Sequence, residues 1–154
     1  MASVRSFDTS IDIEAAPETI WTVLADFRSY PEWNPFIREI EGIQAVGEQL
    51  RVVLQPPGMK PQTFKPKIVT WRPPKHFKWH GRLFMPGLFD GIHEFEIKDL
   101  GEGQARFHQR ERFKGILVSS VLSKIGKVTL EGFEQMNEAL RTRVLETQSK
   151  QPST

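Results

Sequence analysis

Residues 17–36 read PETIWTVLADFRSYPEWNPF, a stretch that contains one helical segment and two breaks. Pro17 fits the first turn of a helix, where its missing N–H costs no hydrogen bond. The apolar residues that follow recur at helical spacing, namely Ile20, Val23, Leu24 and Phe27. Pro31 and Pro35 then interrupt regular helix, because a residue that precedes proline favours extended geometry. The stretch predicts a helix, a short second helix between the prolines, and the start of a strand.

The sequence on either side of this stretch alternates between apolar and polar residues, as strands with one buried face do. The alternation predicts seven strands, over residues 3–14, 36–44, 50–55, 63–71, 75–84, 88–100 and 104–113. Apolar residues at helical spacing then predict one long helix over 118–146, in which Gly126 and Gly132 mark a bend or a close approach. This order of elements indicates an α+β fold, with an antiparallel sheet packed on a long C-terminal helix.

Several segments resemble a known superfamily: APETIW (16–21), DF (26–27), YPEWNPF (30–36), GIHEF (91–95), HQRERFKG (108–115) and GFEQMN (132–137). On these residues, the chain from 3 to 146 resembles the SRPBCC superfamily, also called START-like or Bet v 1-like, and is most similar to its polyketide cyclase/dehydrase-type branch. The resemblance implies a helix-grip fold: a curved seven-stranded antiparallel sheet around a long C-terminal helix, with two short helices after the first strand. It also implies a hollow between sheet and helix that serves as the binding site.

Length and composition favour a single domain over residues 1–146, followed by a polar tail, 147–154, that we expect to be disordered. The chain contains no cysteine, which excludes disulfides, thiolate catalysis and thiolate metal ligands. The first residues lack the apolar segment of a signal peptide, and no apolar run reaches the roughly 18 residues of a membrane span. We therefore expect a cytoplasmic protein without integral membrane association.

The hairpin loops at 85–87 and 101–103 determine which residues of the last three strands lie opposite each other. With these loops, Glu94 of the middle strand lies between Lys78 and Arg110. Opposite charges directly across a ladder contribute a few tenths of a kcal/mol each, so this pairing supports its own register. A slip by one residue would lose the pairs and move every side chain to the other face.

The opposite face of these strands is aromatic, and it carries His93 directly opposite Glu111, with Gln109 diagonal to His93 and Trp79 beside it. Two interpretations of this row stay open. In the first, Glu111 holds His93 in one tautomer as a satisfied buried pair. In the second, His93 and Glu111 are candidate catalytic residues that act as a general acid/base pair, or they anchor a polar group of a ligand.

A pocket between this aromatic face and the long helix would combine apolar walls with a few polar groups. The residues that we expect to contact a ligand are Trp33, Leu54, Phe64, Ile68, Phe77, Trp79, Leu83, Phe89, His93, Phe95, Gln109, Glu111, Phe113, Leu122, Phe133, Met136 and Asn137. The expected portal consists of residues 56–61, 85–87 and 116–122. Four exposed residues at this portal form either a ligand gate or ordinary loop packing: Phe84, Met85, Leu88 and Leu117.

Other partners have little support in the sequence. The net charge is only +2, and the basic cluster of Lys60, Lys65 and Lys67 occurs without an RNA- or DNA-binding motif, so we expect no nucleic-acid partner. The sequence has no glycine-rich phosphate loop, and its four histidines lack metal-ligand spacing. We expect neither a cofactor nor a metal ion.

Three functions stay open on this sequence, each implied by the resemblance. The first, which we favour, is binding of a small hydrophobic or polyketide-like molecule. The second is an enzyme similar to polyketide cyclases or dehydratases, in which His93 and Glu111 would move a proton next to a carbonyl. The third is a protein-interaction module similar to chaperone cofactors, which predicts a large exposed apolar patch. The oligomeric state is also open.

Overall fold

The structure, a computed structural model, describes residues 3–83 and 87–150. Strand β1 (Ser3–Ile13) leads into helix α1 (Pro17–Leu24), a 3-10 turn (Phe27–Ser29) and the short helix α2 (Tyr30–Trp33). Seven further strands follow in the described residues: β2 (Ile37–Glu41), β3 (Arg51–Leu54), β4 (Gln62–Phe64), β5 (Lys67–Arg72), β6 (His76–Leu83), β7 (Phe89–Gly101) and β8 (Gln104–Gly115). The long helix α3 (Val118–Ser149) comes last.

The strands form two antiparallel sheets, ordered β1-β8-β7-β6-β5 and β2-β3-β4. The predicted α+β helix-grip class is confirmed, but the prediction of one seven-stranded sheet is wrong. Residues 63–71 form two strands, β4 and β5, because Pro66 has no N–H to donate and interrupts the ladder. The two sheets are linked where Leu50 N donates to Pro66 O at 2.8 Å and Ile68 N donates to Glu48 O at 2.9 Å.

The predicted register of the last three strands is confirmed. Lys78 lies opposite Glu94 in the β6–β7 ladder, and Glu94 lies opposite Arg110 in the β7–β8 ladder. One difference occurs at the second hairpin, where the register shifts and Gly101, rather than Leu100, pairs with Gln104. The inferred pairing at the first hairpin involves Phe84, which lies outside the described residues.

The outer face of this sheet carries ion pairs that reach beyond the directly opposite residue. Arg110 Nη1 lies 2.7 Å from Glu94 Oε1, and Arg110 Nη2 lies 3.3 Å from Glu96 Oε1. His76 Nε2 lies 2.7 Å from the diagonal Glu94, although Glu96 is its directly opposite residue. Long side chains can reach diagonal neighbours across a ladder, so the register alone does not choose each ionic partner.

Helix α3 continues beyond its predicted end at residue 146, to Ser149. The first residues of the predicted disordered tail are therefore helical, which corrects that expectation. Thr147 Oγ1 donates to Arg143 O within the helix at 2.9 Å, and Gln148 Nε2 donates to Glu14 O at 3.1 Å. The second bond ties this last turn to the residue that follows β1. Within residues 3–83 and 87–150, no helix is both long and apolar enough to cross a bilayer.

Gly132 allows the long helix to approach Phe36, the last residue of the stretch 17–36. A β-carbon at position 132 would overlap the Phe36 ring. That ring packs edge-on against Phe133, with centroids 5.4 Å apart. Of the bend and the close approach predicted for Gly132, the close approach is present, and it brings α3 against the residue that precedes β2.

Candidate ligand-binding site

A pocket of about 120 Å³ lies between β3 and β4 on one side, β6, β7 and β8 on the other, and the first half of α3. Its walls are mostly apolar. The helix residues Leu122 and Ile125 line it and are half-buried, whereas Phe133 and Met136 further along the same helix are fully buried. The first half of α3 therefore covers the pocket, and the second half packs in the solid core.

Seven of the residues predicted to contact a ligand line this pocket: Leu54, Phe64, Trp79, Phe89, Glu111, Phe113 and Leu122. Eight others lie outside its lining and are buried, seven of them completely or nearly so: Ile68, Phe77, His93, Phe95, Gln109, Phe133, Met136 and Asn137. Trp33 is also outside the lining, because it packs on Tyr30 with ring centroids 5.1 Å apart. The side chain of Leu83 lies outside the described part of the chain.

Several lining residues were not predicted from the sequence. They are Phe36, Val52, Gln62, Pro66, Gly81, Arg82, Gly91, Ile125 and Thr129. Gly81 and Gly91 lie directly opposite each other on the inward face of β6 and β7. The absence of a side chain leaves space beside Gly81, and at Gly91 it makes room for the Glu111 carboxyl group. Their inward positions followed from the predicted register, so two paired glycines on an aromatic face were the available signal.

The predicted portal is partly located. Pro56, Met59 and Lys60 line the pocket, and the loop is closed by a bond from Met59 N to Pro56 O at 3.0 Å. Residues 84–86 lie outside the described residues, so the gate hypothesis stays a prediction. Leu88 and Leu117, expected to be exposed, are half-buried because Leu117 N donates to Leu88 O at 2.9 Å and holds the two segments together.

Among the described residues that line the pocket, Glu111 alone carries a carboxylate. Its side chain is 15% exposed, and Oε2 lies 3.0 Å from Nδ1 of His93, whose side chain is 1% exposed. The contact is short, but it is not aligned as a hydrogen bond, and Nδ1 is buried without one. The other carboxylate oxygen, Oε1, lies over Gly91, in the space that a β-carbon there would need.

His93 is also the first member of a buried polar chain, His93–Gln109–Asn137–Thr9. His93 Nε2 lies 2.9 Å from Gln109 Oε1, and Gln109 Nε2 donates to Asn137 Oδ1 at 2.8 Å. Asn137 Nδ2 then donates to Thr9 Oγ1 at 2.9 Å. The chain links β7, β8, α3 and β1, so these buried polar side chains, apart from Nδ1 of His93, are satisfied by one another.

The polar chain fixes the protonation of His93 at Nε2. Gln109 Nε2 lies 3.3 Å from the main-chain oxygen of Phe133, which can only accept, so the amide nitrogen must face α3. Gln109 Oε1 must then face His93, and His93 Nε2 must carry a hydrogen to donate to it. Both predicted partners of His93 are present, but His93 itself reaches the pocket only through Glu111.

Rings surround His93 on the other sides. It stacks on Phe95 with centroids 4.5 Å apart, and it contacts Trp79 at 5.1 Å and Phe133 at 4.9 Å. In the described residues, no three His, Asp or Glu side chains are grouped so that they could hold a metal ion. The charged groups at the pocket surface are therefore the Glu111 carboxyl group, backed by a buried imidazole, and the side chains of Lys60 and Arg82, within a mostly apolar wall.

Comparisons with known proteins agree with this architecture. A family model described as polyketide cyclase/dehydrase and lipid transport matches residues 4–145. Norcoclaurine synthase from Thalictrum flavum superposes with a TM-score of 0.73 at 16% identity, over 96% of this chain and 98% of that chain. A START superfamily protein from Mycobacterium smegmatis superposes with a TM-score of 0.71 at 22% identity, over 92% of this chain and 98% of that chain. A protein from Arthrobacter aurescens superposes with a TM-score of 0.72 at 17% identity, over 94% of this chain and 91% of that chain. At these identities the solved structures share the fold alone. No curated protein matches the sequence.

Proposed function

Since this chain belongs to the polyketide cyclase/dehydrase and lipid transport family, we propose that it binds a small apolar molecule in the pocket between its sheets and α3. Family and fold are compatible with ligand binding in a hydrophobic cavity. The observation that carries the proposal is the half-buried state of Leu122 and Ile125, which face a pocket instead of a filled core.

The size of the pocket limits the ligand. About 120 Å³ is close to the roughly 150 Å³ at which a dry apolar cavity accepts benzene. It is below the roughly 300 Å³ at which drug-sized sites begin. The structure thus favours a molecule of one ring, or a single ring of a larger molecule. A folded polyketide would require the segment that includes Met59 and Lys60 to move away from α3.

Two measurements test this proposal. Native mass spectrometry of freshly purified protein, compared with its denatured mass, detects a retained small molecule. Calorimetric titration with toluene and p-cresol then measures binding in the wild type, Leu122→Trp and Leu145→Trp. The tryptophan at 122 fills the pocket and should abolish binding. Leu145 is 39% exposed on the same helix and serves as the matched control. Equal binding by all three proteins would place the ligand elsewhere, and no binding by the wild type would refute the proposal.

A second candidate function is catalysis of a cyclase or dehydratase type. It is favoured by the contact of Glu111 with both the pocket and His93. Glu111 would exchange a proton with the substrate, and His93 would act through Glu111. Glu111→Gln separates the two functions: loss of turnover with affinity retained supports an enzyme, and loss of affinity alone supports a binding protein. The cytoplasmic location and the absence of nucleic-acid partners stay predictions.

A further inference from the structure

The geometry points to a pocket that selects ligands with a neutral hydroxyl group, which donates its hydrogen to Glu111 Oε1. This inference rests on the proposed binding function and adds the chemical class of the ligand. It follows from three features: the fixed tautomer of His93, the two oxygens of Glu111, and the charges at the pocket.

His93 determines which oxygen of Glu111 is left for a ligand. Nε2 of His93 carries a hydrogen, because Gln109 offers it only an acceptor. Nδ1 of His93 lies 3.0 Å from Oε2 of Glu111, off the axis of a hydrogen bond. Oε2 therefore lies on the His93 side of the carboxyl group, and Oε1 lies over Gly91, which also lines the pocket.

The oxygen that faces the pocket is a hydrogen-bond acceptor. A carboxylate oxygen accepts hydrogen bonds and donates none, so Oε1 places an acceptor at this point of the wall. Among the described residues, none donates a hydrogen bond to Oε1, so a ligand hydroxyl would supply the missing partner.

Charged residues at the pocket limit the charge of the ligand. Lys60 and Arg82 also line the pocket, and Arg82 Nε lies 3.3 Å from Asp90 Oδ1, outside the lining. An ammonium group would meet these two cations, whereas a hydroxyl would not. A phenol or a small apolar alcohol therefore fits better than an amine.

The test compares p-cresol with 4-methylanisole, which replaces the hydroxyl hydrogen by a methyl group. Calorimetric titration measures both ligands with the wild type, Glu111→Gln and Glu111→Met. We expect the wild type to prefer p-cresol by about tenfold or more, since the ether leaves Oε1 without a partner. Glu111→Met should bind the two ligands equally.

Glu111→Gln gives a distinct expectation. Its amide nitrogen can donate to the bare Nδ1 of neutral His93, which leaves the amide oxygen toward the pocket. This variant should therefore keep a reduced preference for p-cresol. A preference lost in Glu111→Gln, or kept in Glu111→Met, would overturn the inference.

The remaining outcomes are also decisive. Equal wild-type affinities for the two ligands would overturn the hydroxyl preference and leave the proposed binding function intact. Tighter binding of 4-methylbenzylamine than of p-cresol would overturn the inference that the ligand is neutral. Failure of the wild type to bind any of these ligands or toluene would overturn both proposals.

Discussion

Glu111 Oε1 and a β-carbon at Gly91 would occupy the same space, so the carboxyl group reaches its position only because residue 91 is glycine. Gly91 lies directly opposite Gly81 across the β6–β7 ladder, and both line the pocket. A β-carbon at 81 would meet only Pro66 Cβ at 3.7 Å, an ordinary contact. The two glycines therefore form a matched pair of positions for testing the role of the carboxyl group.

We expect Gly91→Ala to displace the Glu111 carboxyl group and to remove the preference for p-cresol over 4-methylanisole. Glu111 is flexible at its end, so the fold should tolerate the change with a loss of about 1 kcal/mol or less. Gly81→Ala, the control, should keep the preference. Calorimetric titration measures this, and an unchanged preference in Gly91→Ala would show that the position of Glu111 does not depend on residue 91.

The two glycines of α3 give a second pair of opposite expectations. Gly132→Ala should lower the free energy of unfolding by about 1–3 kcal/mol, because its β-carbon would overlap the Phe36 ring. Gly126→Ala should raise it by up to about 1 kcal/mol, since its nearest contacts are at 3.5 Å and alanine is the better helix former. Urea denaturation measures both. Equal effects of the two variants would contradict the close approach at Gly132.

Removal of Gln109 from the polar chain should destabilise the protein. Gln109→Leu leaves His93 Nε2 and Asn137 Oδ1 buried without partners, and we expect the free energy of unfolding to fall by about 3 kcal/mol. Gln135→Leu, an exposed change on α3, should stay within about 0.5 kcal/mol of the wild type. If urea denaturation gives the two variants similar values, the amide network contributes little to stability.

The tautomer of His93 can be observed directly. We expect ¹⁵N NMR of the imidazole to show Nε2 protonated, because Gln109 Oε1 accepts from it. His80, half-buried on the outer face, serves as an internal comparison. A spectrum in which Nε2 of His93 carries no hydrogen would refute the amide orientation of Gln109.

Acid should destabilise the protein partly through Glu94. Burial opposes its ionisation, but hydrogen bonds from Arg110 and His76 outweigh burial and hold the pKa of Glu94 below its ordinary 4.5. A carboxylate with a lowered folded pKa stabilises the protein above its unfolded value, and this contribution is lost as the pH falls through the folded value.

The free energy of unfolding should therefore decline below about pH 5, and less steeply in Glu94→Gln than in the wild type. Urea denaturation over this pH range measures the slope, with Glu102→Gln in an exposed turn as the control. A Glu94→Gln slope equal to that of the wild type would assign the acid sensitivity to other groups.

The family resemblance could be predicted from short sequence segments, and the register of the last three strands from the alternation of charge along them. The pairing of Glu94 with Lys78 and Arg110 follows from the lengths of the two hairpin loops. The same register correctly predicted that His93 lies opposite Glu111. The break at Pro66 was missed because an alternating pattern continues through it. The end of α3 was missed because a polar composition does not prevent a helix whose last turn is bonded to its neighbours.

The site was harder to predict than the fold. Alternation shows that Phe77 and Trp79 both face inward, but only Trp79 reaches the pocket, because the distance from the helix varies along the strand. Alternation likewise shows that His93 faces inward, but it does not show that aromatic rings separate His93 from the pocket. Trp33 was misplaced because its helix, α2, carries it toward Tyr30.

The interruption at Pro66 also has a mechanical consequence. The walls of the pocket belong to two separate hydrogen-bonded sheets, with Leu54 and Phe64 on one and Trp79 and Phe113 on the other. The sheets are joined by a few bonds around Pro66, so a change in the angle between them would widen the mouth while every strand pair within each sheet stays intact. The volume available to a ligand therefore depends on the angle between two sheets that few hydrogen bonds hold together.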